Sequence, residues 1–292
     1  MREFIQLTKP RITWLILMST GIGYFFGLPG AANWWAFLRS IPLLSLLHTI
    51  VGTGLIASGT AALNQWYEAD SDAKMHRTRA RPIPAGRMKR NHGFVFAVLL
   101  STAGLVELWL GANVLTAALG LFTLLSYILA YTPLKRRSQA CTTVGALPGA
   151  MPPLIGYAAA SGGLDARALA LFLILFVWQF PHFYAIAWMY REDYARGGIR
   201  MLPVIESDGE STAKRIVACS VLLVPVSLVP LLFGMTGLTY PIAAVVAGLG
   251  LLHFGVRLVR ERTSVHARHV LLASVLYLPI LLGIMVIDQQ RF

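Results

Sequence analysis

The sequence predicts an all-α polytopic membrane protein: nine transmembrane helices forming one bundle, a single domain over residues 1–292, with a chamber that opens to the cytoplasmic side. Three observations lead there. Of the 292 residues, 56% are hydrophobic and only 13% are charged, whereas covering a water-facing surface takes about 25% charged residues. Apolar runs long enough to cross roughly 30 Å of hydrocarbon recur along the whole chain. The basic residues fall almost entirely in alternate connections between those runs.

The runs cover 12–28, 42–63, 93–111, 115–133, 141–158, 168–189, 216–234, 238–256 and 270–287. Their length, and the lack of period-two alternation, fit helices rather than a barrel. Tight links at Gly111–Asn113 and Gly234–Gly237 separate neighbouring runs. With the N-terminus inside, the inner connections (1–11, 64–92, 135–137, 191–215 and 257–268) hold 22 of the 25 Lys and Arg residues, and the outer ones hold Arg39, Arg167 and Arg291. This is the positive-inside pattern. It accounts for the net charge of +12 without a nucleic-acid partner. Cys141 and Cys219 lie in or beside apolar runs, which argues against a disulfide framework. Met1 to Pro10 leads into the first run with no small-residue cleavage site. Gly52, Gly54 and Gly59 in the second run suit close helix packing. Walker loops, dinucleotide glycine patterns and nucleophile elbows are all missing.

The inner connections share one surface, and one of them is unlike the rest. Residues 64–86 read NQWYEADSDAKMHRTRARPIPAG. Asn64, Glu68 and Asp72 are spaced four apart, so a continuing helix places them on one face. Oxygen donors without His or Cys suit Mg²⁺, which commonly binds through one or two carboxylates plus substrate phosphates. The basic residues that follow, Lys74, Arg77, Arg79 and Arg81, suit phosphate oxygens. A solvated, salt-bridged helix end is the plain alternative. Acids, bases and an apolar bundle together describe a diphosphate site whose greasy tail lies in the membrane.

The stretch resembles the first acidic motif of the intramembrane prenyltransferases, the superfamily of the 4-hydroxybenzoate polyprenyltransferases. Asn64, Asp72, Met75, Arg77-Thr78, Arg81-Pro82 and Gly86 resemble one branch of it, the farnesyltransferases of protoheme IX. Glu68 stands where the superfamily usually has aspartate. Trp178 to Val204, WQFPHFYAIAWMYREDYARGGIRMLPV, is similar to the same branch through Trp178, Pro181-His182-Phe183, Ala187, Asp193-Tyr194, Gly198 and Met201-Leu202-Pro203. The superfamily's second motif has spaced aspartates here, and this chain offers adjacent Glu192 and Asp193.

The resemblance implies roles residue by residue. Asn64, Glu68, Asp72 and Asp193 would hold Mg²⁺ and, with Arg77 and Arg81, form the catalytic set. Lys74, Tyr131, Lys135, Arg136 and Glu192 would bind substrate, although basic residues after the fourth run also serve simply to fix topology. His182 lies within a run, where a polar ring is functional by default, and imidazole is a common axial ligand of haem iron. A bond to a carbonyl freed by Pro181 is its structural alternative. His48 and His253 lack such neighbours, and Glu107, towards the outer end of the third run, is expected simply to reach the interface. The implied reaction joins a farnesyl group from farnesyl diphosphate to a vinyl group of haem B with addition of water, giving haem O and diphosphate. The implied setting is the bacterial cytoplasmic (inner) membrane, with lipid around the bundle and docking to a downstream haem-modifying enzyme or a terminal oxidase. Two other readings stay open: a prenyltransferase of an aromatic acid or quinone precursor, and a transporter of an anionic substrate.

Overall fold

A computed structural model describes residues 1–30 and 38–290; Arg291, expected on the outer side, lies outside the described residues. Helices dominate, and among the described residues the only β-contact is an isolated bridge between Thr236 and Gln289. Seven helices in that set are long and apolar enough to cross a membrane: Leu43–Tyr67, Arg90–Gly111, Val114–Leu134, Ala166–Met189, Glu210–Leu232, Thr239–Arg260 and Ser264–Ile287. The chain is a multi-pass membrane protein.

The other two expected spans differ in kind. The first is an 18-residue helix, Pro10–Gly27, whose apolar run is diluted by Arg11, Thr13, Ser19 and Thr20. The fifth, expected as one helix over 141–158, is two: Cys141–Gly149 and Pro152–Ser161. Pro152 and Pro153 explain the break, since neither has an N–H to donate to a carbonyl of the preceding turn, although Met151 itself stays in the α region (φ −69°, ψ −29°).

The residues form two compact units. The first comprises 1–29, 40–164 and 192–200; the second comprises 30–39, 165–191 and 201–292. In the first, small residues let backbones meet, as expected for packing without a hydrophobic drive. A Cβ on Gly52 would strike Leu108 at 2.7 Å, and one on Gly59 would strike Ser101 Oγ at 2.2 Å. These contacts bring the Leu43–Tyr67 and Arg90–Gly111 helices together. Glu107 pairs with His48 across the same two helices, Nδ1 to Oε1 at 2.8 Å, so neither is simply an interfacial side chain. Helix Val114–Leu125 runs into a π-turn at Ser126–Tyr131 before Thr132–Leu134.

In the second unit, the Ala166–Met189 helix packs on Glu210–Leu232 and Ser264–Ile287. Buried Ser227 and Tyr277 share a 2.7 Å hydrogen bond between the first and last of the C-terminal helices.

Candidate active site

The Leu43–Tyr67 helix ends at Glu68, where the backbone relaxes to φ −88°, ψ 5°, but its path continues. Glu68 N–H donates to Asn64 O at 2.9 Å, and Asp72 N–H to Glu68 O at 2.8 Å. The four-residue spacing therefore survives the helix end. Asn64, Glu68 and Asp72 are all buried, so the helix end is not solvated, although Glu68 and Asp72 are salt-bridged to Lys135 and Arg81.

Each of the three has a different set of partners. Asn64 Nδ2 donates to Thr132 Oγ1 at 3.3 Å, and Lys9 Nζ reaches Asn64 Oδ1 at 3.4 Å. Lys135 Nζ meets both oxygens of Glu68, at 2.9 and 3.1 Å. Burial alone would discharge both members of that pair. Their mutual attraction and hydrogen bonding outweigh it, holding Glu68 below its usual range and Lys135 above. Arg81 Nη1 donates to Asp72 Oδ2 at 2.6 Å, while Asp72 Oδ1 is buried with no hydrogen-bond partner. Burial pushes the Asp72 carboxyl up despite Arg81.

Lys9 is the least expected member. It is the one non-glycine with positive φ among the described residues, at +48°. Burial, followed by repulsion from Arg81 and Lys135, lowers its ammonium to about 7. Lys9 also lines an apolar cavity of about 130 Å³ with Ile16, Ile56, Tyr127, Pro152 and Ile155. The acid cluster and the cavity thus share a side chain.

The remaining candidates divide. Tyr131 comes beside Lys135, with Nζ 4.5 Å from the ring centroid. Arg136 donates to Ser71 Oγ. Lys74 and Glu192 are exposed and are drawn into none of these contacts. Asp193 is buried, but its oxygens are taken: His76 N–H at 2.8 Å, Arg77 N–H at 3.0 Å and Arg196 Nη2 at 2.5 Å. Burial works against its ionisation, yet these donors hold its pKa at about 2. Arg77 Nη2 donates to Tyr194 OH at 3.2 Å, and Arg200 N–H to Lys135 O at 2.7 Å. Residues 193–200 therefore tie down the backbones that carry both Arg77 and Lys135. His182 belongs to the second unit, where its Nδ1 lies 2.9 Å from Ser274 Oγ.

Sequence reasoning missed Thr132, Ser71 and Lys9 as members of the site, and named Tyr194 only for the resemblance. The hydroxyls of Thr132, Ser71 and Tyr194 carry no charge to stand out in an apolar chain. Lys9 sits in a basic entry segment that topology already explains.

The donor set fits a hard divalent cation. It offers an amide and two carboxylates, all oxygen ligands, and Asp72 Oδ1 has an unused lone pair. Among the described residues no cluster of three His, Cys, Asp or Glu side chains is gathered to hold a metal alone. An ion at Asp72 would have to complete its shell with water and phosphate oxygens, the usual habit of Mg²⁺.

The chain is 63% identical over 289 residues to "Protoheme IX farnesyltransferase" of Solibacter usitatus (strain Ellin6076), covering 99% of each chain. It is 46% identical over 298 residues to the protein of the same description from Koribacter versatilis (strain Ellin345), covering 99% of this chain and 94% of the other. Among solved structures, a digeranylgeranylglyceryl phosphate synthase superposes with TM-score 0.79 at 17% identity, covering 98% and 97% of the two chains. A UbiA homologue from Archaeoglobus fulgidus, bound to GPP and Mg²⁺, gives TM-score 0.63 at 14% identity over 97% and 99%. Residues 15–281 match the UbiA prenyltransferase family. With a buried acid cluster ringed by Lys and Arg and relatives matched from end to end, the chain belongs to the UbiA prenyltransferase family.

Proposed function

We infer that this enzyme transfers the farnesyl group of farnesyl diphosphate to a vinyl group of protoheme IX, giving haem O and diphosphate. The observation that carries the prenyl diphosphate half is the partnerless, buried Asp72 Oδ1, set among basic side chains beside an apolar cavity. The acceptor rests on the end-to-end likeness to protoheme IX farnesyltransferases.

In this reading Asn64, Glu68 and Asp72 hold Mg²⁺, which when bound neutralises charge on the departing diphosphate. Arg81 and Lys135 supply fixed positive charge where the C1–O bond breaks and its electron pair passes to the diphosphate. Arg77 and Arg136 add donors at the rim, with Lys74 and Glu192 further out. The cavity takes the farnesyl chain and keeps water from the allylic cation until the vinyl carbon attacks. Water then adds its oxygen to the resulting cation and releases a proton. Tyr131 supports Lys135. Asp193 serves through the backbone of Arg77 rather than as a ligand, since two of its donors are fixed backbone amides. The Lys9 and Lys135 side chains on Asn64 and Glu68, by contrast, are free to turn to the diphosphate. His182 contacts the haem.

We extend the same reading to topology. Nine spans, with the broken Cys141–Ser161 segment counted as one, place the N-terminus in the cytoplasm and the acid cluster on the cytoplasmic side of an inner membrane, at the mouth of a chamber. The charge asymmetry supports this. The family match crosses both units, which supports one catalytic domain over the whole chain. We assign no surface to docking of a downstream haem-modifying enzyme or oxidase. A cysteine replacing Arg39 should label from outside the membrane and one replacing Arg90 only from inside; the reverse pattern would sink the orientation.

The direct test is haem O formation, read by mass, from purified protein with haem B, farnesyl diphosphate and Mg²⁺. EDTA should stop it. Transfer to an aromatic acid instead of haem would replace the acceptor.

A further inference from the structure

His182 does not turn back onto its own helix. Its Nδ1 lies 2.9 Å from Oγ of Ser274 on the Ser264–Ile287 helix, and this contact bears on the tautomer. A serine hydroxyl has one hydrogen. Ser274 Oγ lies 2.7 Å from Leu271 O and donates to it, and a carbonyl can only accept. Spent that way, the hydroxyl presents only lone pairs to His182, and that arrangement puts the proton on Nδ1. Among the described residues the ring has no acidic partner, and an unpaired charge at membrane depth is costly, so the imidazole is neutral. A neutral imidazole has one N–H. Nε2 is left with its lone pair, and among the described residues it accepts no hydrogen bond.

Two more contacts fix the ring. Trp178, one helical turn earlier, stacks on His182 with centroids 4.8 Å apart and planes 24° apart. Its Nε1–H donates to Ser274 O at 2.8 Å. Ser274 is fully buried, and it holds the tautomer with its hydroxyl and the stacking partner with its carbonyl. This is the arrangement of a metal-ligating histidine, whose other ring N–H is held by an oxygen acceptor.

We propose that Ser274 is a positioning residue that fixes His182 as the Nδ1–H tautomer, so that Nε2 serves as an axial ligand to the iron of the haem acceptor. The step is coordination alone: the Nε2 lone pair forms the bond, and no proton or electron moves elsewhere. The proposal rests on protoheme IX being the acceptor. It adds a residue that neither the resemblance nor the acid cluster points to.

The test uses the full-length protein in detergent, titrated in parallel with ferric haem and with metal-free protoporphyrin IX. Wild type should bind the iron form more tightly and show a nitrogen-ligated haem spectrum. Ser274→Ala should weaken haem binding about 10-fold, the lower end for losing such a supporting bond, and leave protoporphyrin IX binding and the KM for farnesyl diphosphate unchanged. His182→Gly should lose the nitrogen-ligand spectrum, and added imidazole should restore it. Nitrogen-15 NMR of histidine-labelled wild type, which needs no variant, should show His182 protonated at Nδ1. Protonation at Nε2, or a Ser274→Ala protein with unchanged haem affinity and spectrum, overturns the proposal. Equal wild-type affinity for both porphyrins overturns the ligation and leaves the acceptor standing. Binding of neither removes the acceptor as well, and this inference with it.

Discussion

Asp72 and Asp193 look alike in the chain and in their surroundings: both are buried acids on connections between long helices, and each is met by an arginine. Their free valence separates them. Asp72 has one oxygen on Arg81 and one with no partner. Asp193 has both oxygens engaged, Oδ1 by the His76 N–H and Arg196 and Oδ2 by the Arg77 N–H. A carboxylate whose lone pairs are spent on the chain's own backbone is a fastener; one that is dry and half-satisfied is waiting for a cation. Burial and charge do not tell them apart, but the inventory of unused acceptors does.

The contrast can be broken by experiment. Asp72→Ala should lower turnover by roughly 10³-fold or more in a protein that still folds, and near-normal haem O production would end its role as ligand. Lys135→Met strands the buried Glu68 charge and should cost about 3–5 kcal/mol of stability. A thermal midpoint in detergent unchanged from wild type would show that the pair is not buried as described. Asp193→Asn should lower kcat/KM about 10-fold, near 1.4 kcal/mol, by loosening Arg77, while the Mg²⁺ concentration for half-maximal rate stays put. A tenfold rise in that concentration would make Asp193 a ligand and erase the distinction.

The smallest effect concerns acid. The folded pKa of Asp193, about 2, lies below the unfolded value near 3.9. Its contribution is therefore complete above about pH 4 and is lost as pH falls through 2. The gap in thermal midpoint between wild type and Asp193→Asn should follow that course; a gap that widens with acid would contradict it.

Much of this was legible in the sequence because apolar runs and stranded charges are conspicuous. Seven of the nine expected runs are helices long and apolar enough to cross a membrane among the described residues, and an eighth, Pro10–Gly27, is helical too. The break at residues 150–151 was also written there, in Pro152 and Pro153, but a hydropathy run does not register a missing N–H. The acidic triad could be read from its four-residue spacing. Its surroundings could not. Lys9 and Thr132 reach Asn64 from 55 and 68 residues away, a separation that local pattern does not encode. The tie from Asp193 to the His76 and Arg77 amides spans 117 and 116 residues, and its donors are backbone groups, which no side-chain motif announces. Ser274 was silent for a similar reason, as one hydroxyl in a greasy helix.

Lys9 carries a consequence of its own. Its backbone sits where glycine is comfortable and other residues lose about 1–2 kcal/mol, and its amine is desolvated and repelled by Arg81 and Lys135. Lys9→Gly should relieve both strains, raising the melting temperature while slowing turnover; a variant that gains in neither direction would show that the lysine is idle. The enzyme is, in this sense, built below its own durability limit at its first helix. A screen that selects only for robustness would discard the very residue that joins the apolar cavity to the acids.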